Sequence, residues 1–284
     1  MPADSASPYA DLVRPPLSAA RLLRDLAPDG VWGAVQVLEE ATSTNAVVAD
    51  CARRGEPEGL VVIAEAQSAG RGRLGRAWVS PPRAGLTLSV LLRPAPAVER
   101  WPLIGLLAGV ALCDAVTRLT GLEVALKWPN DLLAPAGGKL AGLLAERVGD
   151  AVVLGIGINV STRRPELPDP RATSLHLEGA LTDREPMLKA LLRCLGPAYD
   201  AWQAAGGGPD LVIPAYRRRC RTLGTPVQVR TADGRSVTGT ALDVDDDGRL
   251  VVDSAGTRSV WSAGDVVQLR PGEGSDGLPA AAAR

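Results

Sequence analysis

Apolar residues along the chain recur with two periods, and the switches between them predict its elements. Residues 18–26 have helical spacing, and residues 35–38 alternate as a strand. The chain then turns into a helix: Thr42, Ser43 and Thr44 are N-cap residue types, and residues 46–54 continue with helix formers until Gly55. Apolar runs at 60–64 and 86–92 predict two strands that flank a loop rich in arginine and glycine. A long buried helix is expected at 101–119, a strand at 123–127, and a hairpin made of 140–148 and 151–160 around Gly149-Asp150. Residues 161–173 are rich in Pro and Arg and lack a period, which predicts a mobile loop, and a helix resumes over 184–205. After Leu223 the pattern changes to five short alternating segments at 227–230, 236–244, 249–253, 258–261 and 266–269, separated by Asp-Gly or Ala-Gly turns. That pattern predicts a small β-barrel of the SH3-like kind. The expected organisation is a flexible segment 1–16, a main domain 17–222, a barrel 223–270 and a disordered tail 271–284.

Composition narrows the partners. With 46% hydrophobic and 22% charged residues the chain is an ordinary globular one, and a net charge of −1 supplies no global basic field for nucleic acid. Recognition of an anion has to be local. The start carries Asp4 and Asp11 and no apolar core, so no secretory signal is expected, and the 13-residue apolar run 101–113 is shorter than a membrane span. A cytoplasmic protein with no membrane partner is the expectation. Cys51, Cys113, Cys194 and Cys220 are scattered and accompany one histidine, His176, which fits reduced thiols better than a zinc site.

Residues Gly70-Arg71-Gly72-Arg73-Leu74-Gly75-Arg76-Ala77-Trp78 interleave three guanidiniums with three glycines. The side chains offer paired donors to phosphate or carboxylate oxygens on a backbone that bends freely. Gly70, Gly72 and Gly75 also satisfy G-x-G-x-x-G, but Ser80-Pro81-Pro82 follows where a dinucleotide fold would begin its helix. Lysine and asparagine are scarce, with three of each, and Asn45, Lys127, Asn130, Lys139 and Asn159 all fall in short distinctive segments. Asp243-x-Asp245-x-Asp247-Gly248 opens like a calcium loop, yet Ser254 stands at the twelfth position, so an acidic hairpin turn is expected.

Taken in order, Ser43-Thr44-Asn45, Gln67 with the Arg-Gly loop through Trp78, Lys127-Trp-Pro-Asn-Asp131, Gly138-Lys139-Leu-Ala-Gly142 and Gly155-Ile-Gly-Ile-Asn159 resemble the biotin–protein ligase family. The resemblance covers about residues 35–270 and includes the barrel. It implies an α+β fold: a mixed sheet with helices like that of class II aminoacyl-tRNA synthetases and biotin ligases, plus the SH3-like C-terminal barrel. It also implies two steps. Biotin carboxylate attacks the α-phosphate of MgATP to give biotinyl-5′-AMP, and a lysine of a biotin carboxyl carrier protein then takes the biotin. Neither step needs a protein nucleophile; the first needs two anions brought together.

By the same resemblance Ser43, Thr44, Asn45 and Gln67 hold biotin, and Arg71, Gly72 and Arg73 close over biotin and phosphate. Arg73 and Lys139 are the catalytic pair, with Lys139 bridging carboxylate and α-phosphate. Trp78, Lys127, Asn130, Asp131 and Asn159 face the adenylate, although Asn159 at a strand end equally suits a backbone-satisfying role. Magnesium arrives with ATP, with Asp131 as its candidate protein contact, and no tightly bound metal is expected. About 38 residues precede Glu39, fewer than the roughly 60 of a winged-helix domain, so no DNA partner is expected. A monomer or weak homodimer is the expected state. The rival readings are a lipoate or octanoate ligase or transferase of the same superfamily, and a non-catalytic nucleic-acid-binding protein.

Overall fold

Two sheets make up the computed structural model, which describes residues 14–26, 30–180, 183–231, 234–262 and 265–268. Most of the expected flexible start and all of the expected tail lie outside the described residues. In the seven-stranded sheet β1 (Ala34–Ala41) runs parallel to β2 (Leu60–Gln67), and every other pairing is antiparallel. The order continues through β3 (Gly85–Leu92), β7 (Ala151–Asn159), β6 (Lys139–Val148), β5 (Asp131–Leu133) and β4 (Ala125–Lys127).

The central strands read as mostly apolar runs because both faces of the sheet are covered. Val61, Ile63, Leu86, Leu88, Leu154 and Ile156 pack with α1 (Ala19–Leu26), α3 (Pro102–Thr120) and α4 (Arg184–Ala204). Leu60, Val62, Leu91 and Val153, pointing the other way, pack on α2 (Thr44–Arg53). Pro102 opens α3 and Gly121, at φ 74°, ends it. The apolar length of α3 is thus spent against the sheet. Tertiary burial fixes the strands: truncating fully buried Leu88 to Ala costs about 2–5 kcal/mol.

The second sheet is antiparallel, in the order β11 (Thr257–Trp261), β10 (Leu250–Ser254), β9 (Ser236–Val244), β8 (Pro226–Arg230), β12 (Asp265–Gln268). Its inward residues Val227, Val229, Ala241, Val244 and Leu250 belong to the same buried cluster as α3 and α4. Trp128 Nε1 donates to Gly248 O at 3.0 Å, and Gly248 sits against Leu106 and Leu103. The acidic turn is a hairpin whose carboxylates pair with arginines: Asp243 with Arg217, and Asp245 with Arg249.

Three features depart from the sequence expectation. β5 and α5 (Ile213–Arg219) are too short for a period to announce, and α5 begins at an Ile-Pro step. Residues 161–173 are tied down rather than loose. Arg14 pairs with Glu166 at 2.7 Å and donates to Ser161 O, while Arg164 donates to Ala172 O at 2.7 Å. Residues 14–17, in part assigned to a flexible segment, are anchored by a buried pair: Glu65 accepts from Arg184 and from Leu17 N, and Arg184 also donates to Pro15 O.

Candidate active site

The cleft opens where the N-terminus of α2, the C-terminal end of β2 and the middle of β6 and β7 meet, and it encloses a cavity of about 180 Å³. Its lining includes Ser43, Thr44, Asn45, Gln67, Arg71, Gly72, Arg73, Trp78, Asn130, Lys139 and Asn159 from the sequence assignment. Lys127 and Asp131 do not line it. They face each other as a β4–β5 pair, and Asp131 reaches the cleft only through its partner Lys139.

Ser43 occupies the N-cap of α2 and lines the cleft but makes no side-chain cap bond, so its hydroxyl is not spent on the helix. Gln67 Oε1 accepts from Thr44 N at 2.8 Å. Asn45 is buried, with Nδ2 donating to Glu146 Oε2 at 2.7 Å and to Leu144 O at 3.3 Å. Its Oδ1 accepts from Ser89 Oγ at 2.6 Å, and Thr44 Oγ1 lies 2.7 Å from the same hydroxyl.

The Arg-Gly loop is a closed hairpin, not a helix start. Trp78 N donates to Gly70 O at 2.9 Å and Gly72 N to Arg76 O at 2.6 Å, with Leu74 at φ 55° turning its tip. The hairpin lays the Trp78 indole over β6 and β7, where the glycines explain themselves. A methyl group on Gly157 would overlap the indole, and one on Gly155 would overlap the Asn45 carboxamide. Gly142, the cross-strand partner of Gly157, is equally near the indole and Lys139. Alternation sends Ile156 and Ile158 into the core and leaves this face bare for the cleft. Trp78 Nε1 is buried without a hydrogen-bond partner among the described residues, at a cost of about 1–3 kcal/mol.

Lys139 Nζ lies 2.7 Å from Asp131 Oδ1 and 6.0 Å from the centre of the Trp78 ring. Its backbone is gripped by the 161–173 segment: Lys139 N donates to Arg171 O and Thr173 N donates to Lys139 O, each at 2.8 Å. Asn159 Nδ2 donates to Thr173 O at 2.9 Å, so this buried asparagine anchors the same segment. Asn130 Nδ2 donates to Leu143 O at 2.8 Å. Asp169 also lines the cleft, and the Arg171 guanidinium bonded to it holds its carboxyl below the usual aspartate value. Sequence reasoning missed Ser89, Glu146 and Asp169. Their strands and loop carried no motif, although the Gly155-Ile-Gly alternation did mark one strand face as bare.

Among the described residues no three His, Cys, Asp or Glu side chains cluster as a metal centre. The lining combines the hydroxyl and carboxamide groups of Ser43, Thr44, Asn45 and Gln67 with four cations, Arg71, Arg73, Arg76 and Lys139, and the Trp78 indole. That suits a ligand with a polar head joined to an anion.

A sequence profile of the biotin/lipoate A/B protein ligase family matches residues 37–162, and one of the biotin protein ligase C-terminal domain matches residues 222–268. The chain is 45% identical over 268 residues to the biotin–[acetyl-CoA-carboxylase] ligase of Mycobacterium tuberculosis, covering 92% of this chain and 98% of that one. The biotin protein ligase of Aquifex aeolicus in complex with biotin and ATP superposes with a TM-score of 0.71 at 26% identity, over 84% of this chain and 100% of that one. The Leishmania major biotin protein ligase in complex with biotinyl-5-AMP gives a TM-score of 0.57 at 26% identity, over 81% and 98% of the two chains.

Proposed function

The chain belongs to the biotin protein ligase family, and from that premise we propose how its own residues carry out the family's reaction. The enzyme is an ATP-dependent ligase that joins biotin to a protein through an amide bond. Biotin's carboxylate oxygen forms a bond to the α-phosphorus of ATP as the α–β bridging P–O bond breaks, and pyrophosphate leaves with the electron pair. The lysine amine of a carrier domain then bonds to the acyl carbon, the acyl C–O bond breaks, and AMP departs while the amine gives up its proton.

Ser43, Thr44, Asn45 and Gln67 receive the ureido ring, whose donors and acceptors match a floor of hydroxyls and carboxamides. The ureido ring adds hydrogen-bond partners to this polar floor, whereas a plain acyl chain brings none, which disfavours lipoate or octanoate. Arg71 and Gly72 close over the ligand, and Arg73 with Lys139 neutralises the meeting of carboxylate and phosphate. In the free enzyme Asp131 holds Lys139; the incoming anions compete for that ammonium, a mobile point charge that follows the changing geometry better than a planar guanidinium. Trp78 covers the adenylate and Asn130 lies at its edge. Asn159 acts through the 161–173 segment, and Lys127 contributes charge from behind the cleft. Magnesium enters as part of MgATP. The acceptors are the biotin carboxyl carrier domains of acyl-CoA carboxylases, in the cytoplasm.

The observation that carries these roles is the convergence of the Ser-Thr-Asn segment, the arginine hairpin and Lys139 on one cleft. Exchange of labelled pyrophosphate into ATP tests it. Exchange is expected with biotin and absent with lipoate or octanoate, followed by label transfer from biotin to a carrier domain. Exchange with lipoate in place of biotin would refute the substrate assignment.

A further inference from the structure

Glu146 stands outside every segment that marked the site, yet it touches two of them. Its Oε2 accepts from Asn45 Nδ2 at 2.7 Å and lies 3.4 Å from Arg71 Nη2. A carboxylate accepts only, as does the Leu144 carbonyl on the same end of Asn45, so that end must be the NH₂ and the other the oxygen. The consequence runs along the pocket. Ser89 has one hydroxyl proton and two close oxygens, Asn45 Oδ1 at 2.6 Å and Thr44 Oγ1 at 2.7 Å. Asn45 Oδ1 cannot donate, so the Ser89 proton goes to it and the Thr44 proton goes to Ser89. The longer approach of Thr44 Oγ1 to Gln67 Oε1, 3.2 Å, is left without that proton, and Gln67 Oε1 is already served by Thr44 N. Thr44 Oγ1 is left with lone pairs toward the cleft.

We propose that Glu146, the shorter of the two acceptors on Asn45 Nδ2 beside the Leu144 carbonyl, is a positioning residue that holds the hydrogen-bond polarity of the pocket, making Thr44 an acceptor for a ligand N–H. The identity of that N–H as one of biotin's ureido nitrogens rests on the function proposed above. Gly155 supports the arrangement, because only a residue without Cβ lets the Asn45 carboxamide lie flat on β7 between its two sets of partners.

Pyrophosphate exchange by wild type, Glu146→Ala and Glu146→Gln tests it, with biotin and with a derivative methylated on its ureido nitrogens. Glu146→Ala is expected to raise the biotin KM about tenfold, the loss of one part-buried, charge-assisted hydrogen bond's worth of order, with kcat and the ATP KM unchanged. Its preference for biotin over the methylated derivative should shrink by a similar factor. Glu146→Gln keeps an acceptor oxygen for Asn45 and should restore the biotin KM to near wild type. If Gln behaves like Ala, the charge facing Arg71 matters instead and the proposal falls. It also falls if Ala depresses kcat or raises the ATP KM as much as the biotin KM. A ligand-free measurement separates this from the substrate assignment: NMR hydrogen exchange of the Asn45 side-chain amide should be slow in wild type and Glu146→Gln and fast in Glu146→Ala. Equal rates would overturn the orientation argument even if exchange is biotin-dependent. Protection without biotin-dependent exchange would leave the orientation standing and remove only the substrate.

Discussion

Replacing Lys139 with Ala separates chemistry from folding. Two unit negative charges about 4 Å apart repel by about 4 kcal/mol at an effective dielectric near 20, which is the scale of the problem when carboxylate meets α-phosphate. Loss of one preorganised donor at such a centre typically costs about 3–4 kcal/mol, or about 10²–10³-fold in rate. The structural cost is much smaller. The Lys139 side chain is 32% exposed and its partner Asp131 16%, a half-open ion pair worth at most about 1 kcal/mol. A fall in Tm of no more than about 4 °C follows. The assay is biotin-dependent pyrophosphate exchange at saturating ATP beside a thermal melt of the same preparation. Exchange within fivefold of wild type would refute the role given to Lys139. A melt lowered by more than about 10 °C would show that the side chain holds the fold instead. Lys139→Arg should recover part of the rate, since it restores charge but not the mobile point geometry.

Gly157→Val should displace the Trp78 indole, because β7 is paired on both sides at this position and cannot back away. The ATP KM is expected to rise at least tenfold, with a stability loss of about 1–3 kcal/mol from overpacking; an unchanged KM would remove Trp78 from the nucleotide site. The Arg14 side chain bonded to Glu166 holds that carboxyl below its ordinary value of 4.5, so the pair stabilises the fold above that value and the contribution is lost as pH falls through the depressed one. Denaturation of wild type and Glu166→Gln should therefore differ at pH 7 and converge in strong acid; a gap that widened on acidification would contradict the assignment. Glu65→Ala should cost about 3–5 kcal/mol by stranding the buried Arg184 guanidinium, and the double variant Glu65→Leu, Arg184→Met should recover most of it. Equal melts for the single and double variants would argue against a stranded charge.

Much of the fold and most of the cleft were legible in the sequence, for different reasons. The central strands announced themselves because burial on both faces leaves an unbroken apolar run at 60–64 and a mostly apolar one at 86–92, interrupted only by Thr87 and Ser89. β5 and α5 are three and seven residues long, shorter than a period needs to declare itself. The Ser-Thr-Asn segment read equally as a helix cap or a ligand site. Only the missing side-chain cap bond at Ser43 and the packing of Asn45 on Gly155 tell the two apart, the first a matter of geometry and the second a contact far along the chain. Lys127 and Asp131 belonged to a motif that straddles a turn, and they pair with each other across β4 and β5 while Asn130 of the turn between them lines the cleft. Residues 161–173 looked loose because their partners, Arg14 and the backbone of Lys139, lie far away along the chain. Glu146 sits on the alternating part of β6, where a charged residue reads as solvated surface until Asn45 is placed beside it.

The Trp128 indole, bonded to a carbonyl of the second sheet, makes that sheet a poor candidate for a detachable module. A cut at the junction would expose Leu103 and Leu106 of α3 together with the tryptophan, and the same helix lines the underside of the strands that carry Lys139 and Gly157. Anyone recombining this enzyme with a relative should therefore exchange the two sheets as one block. A chimaera spliced between them inherits a mismatched interior long before its substrates are tested.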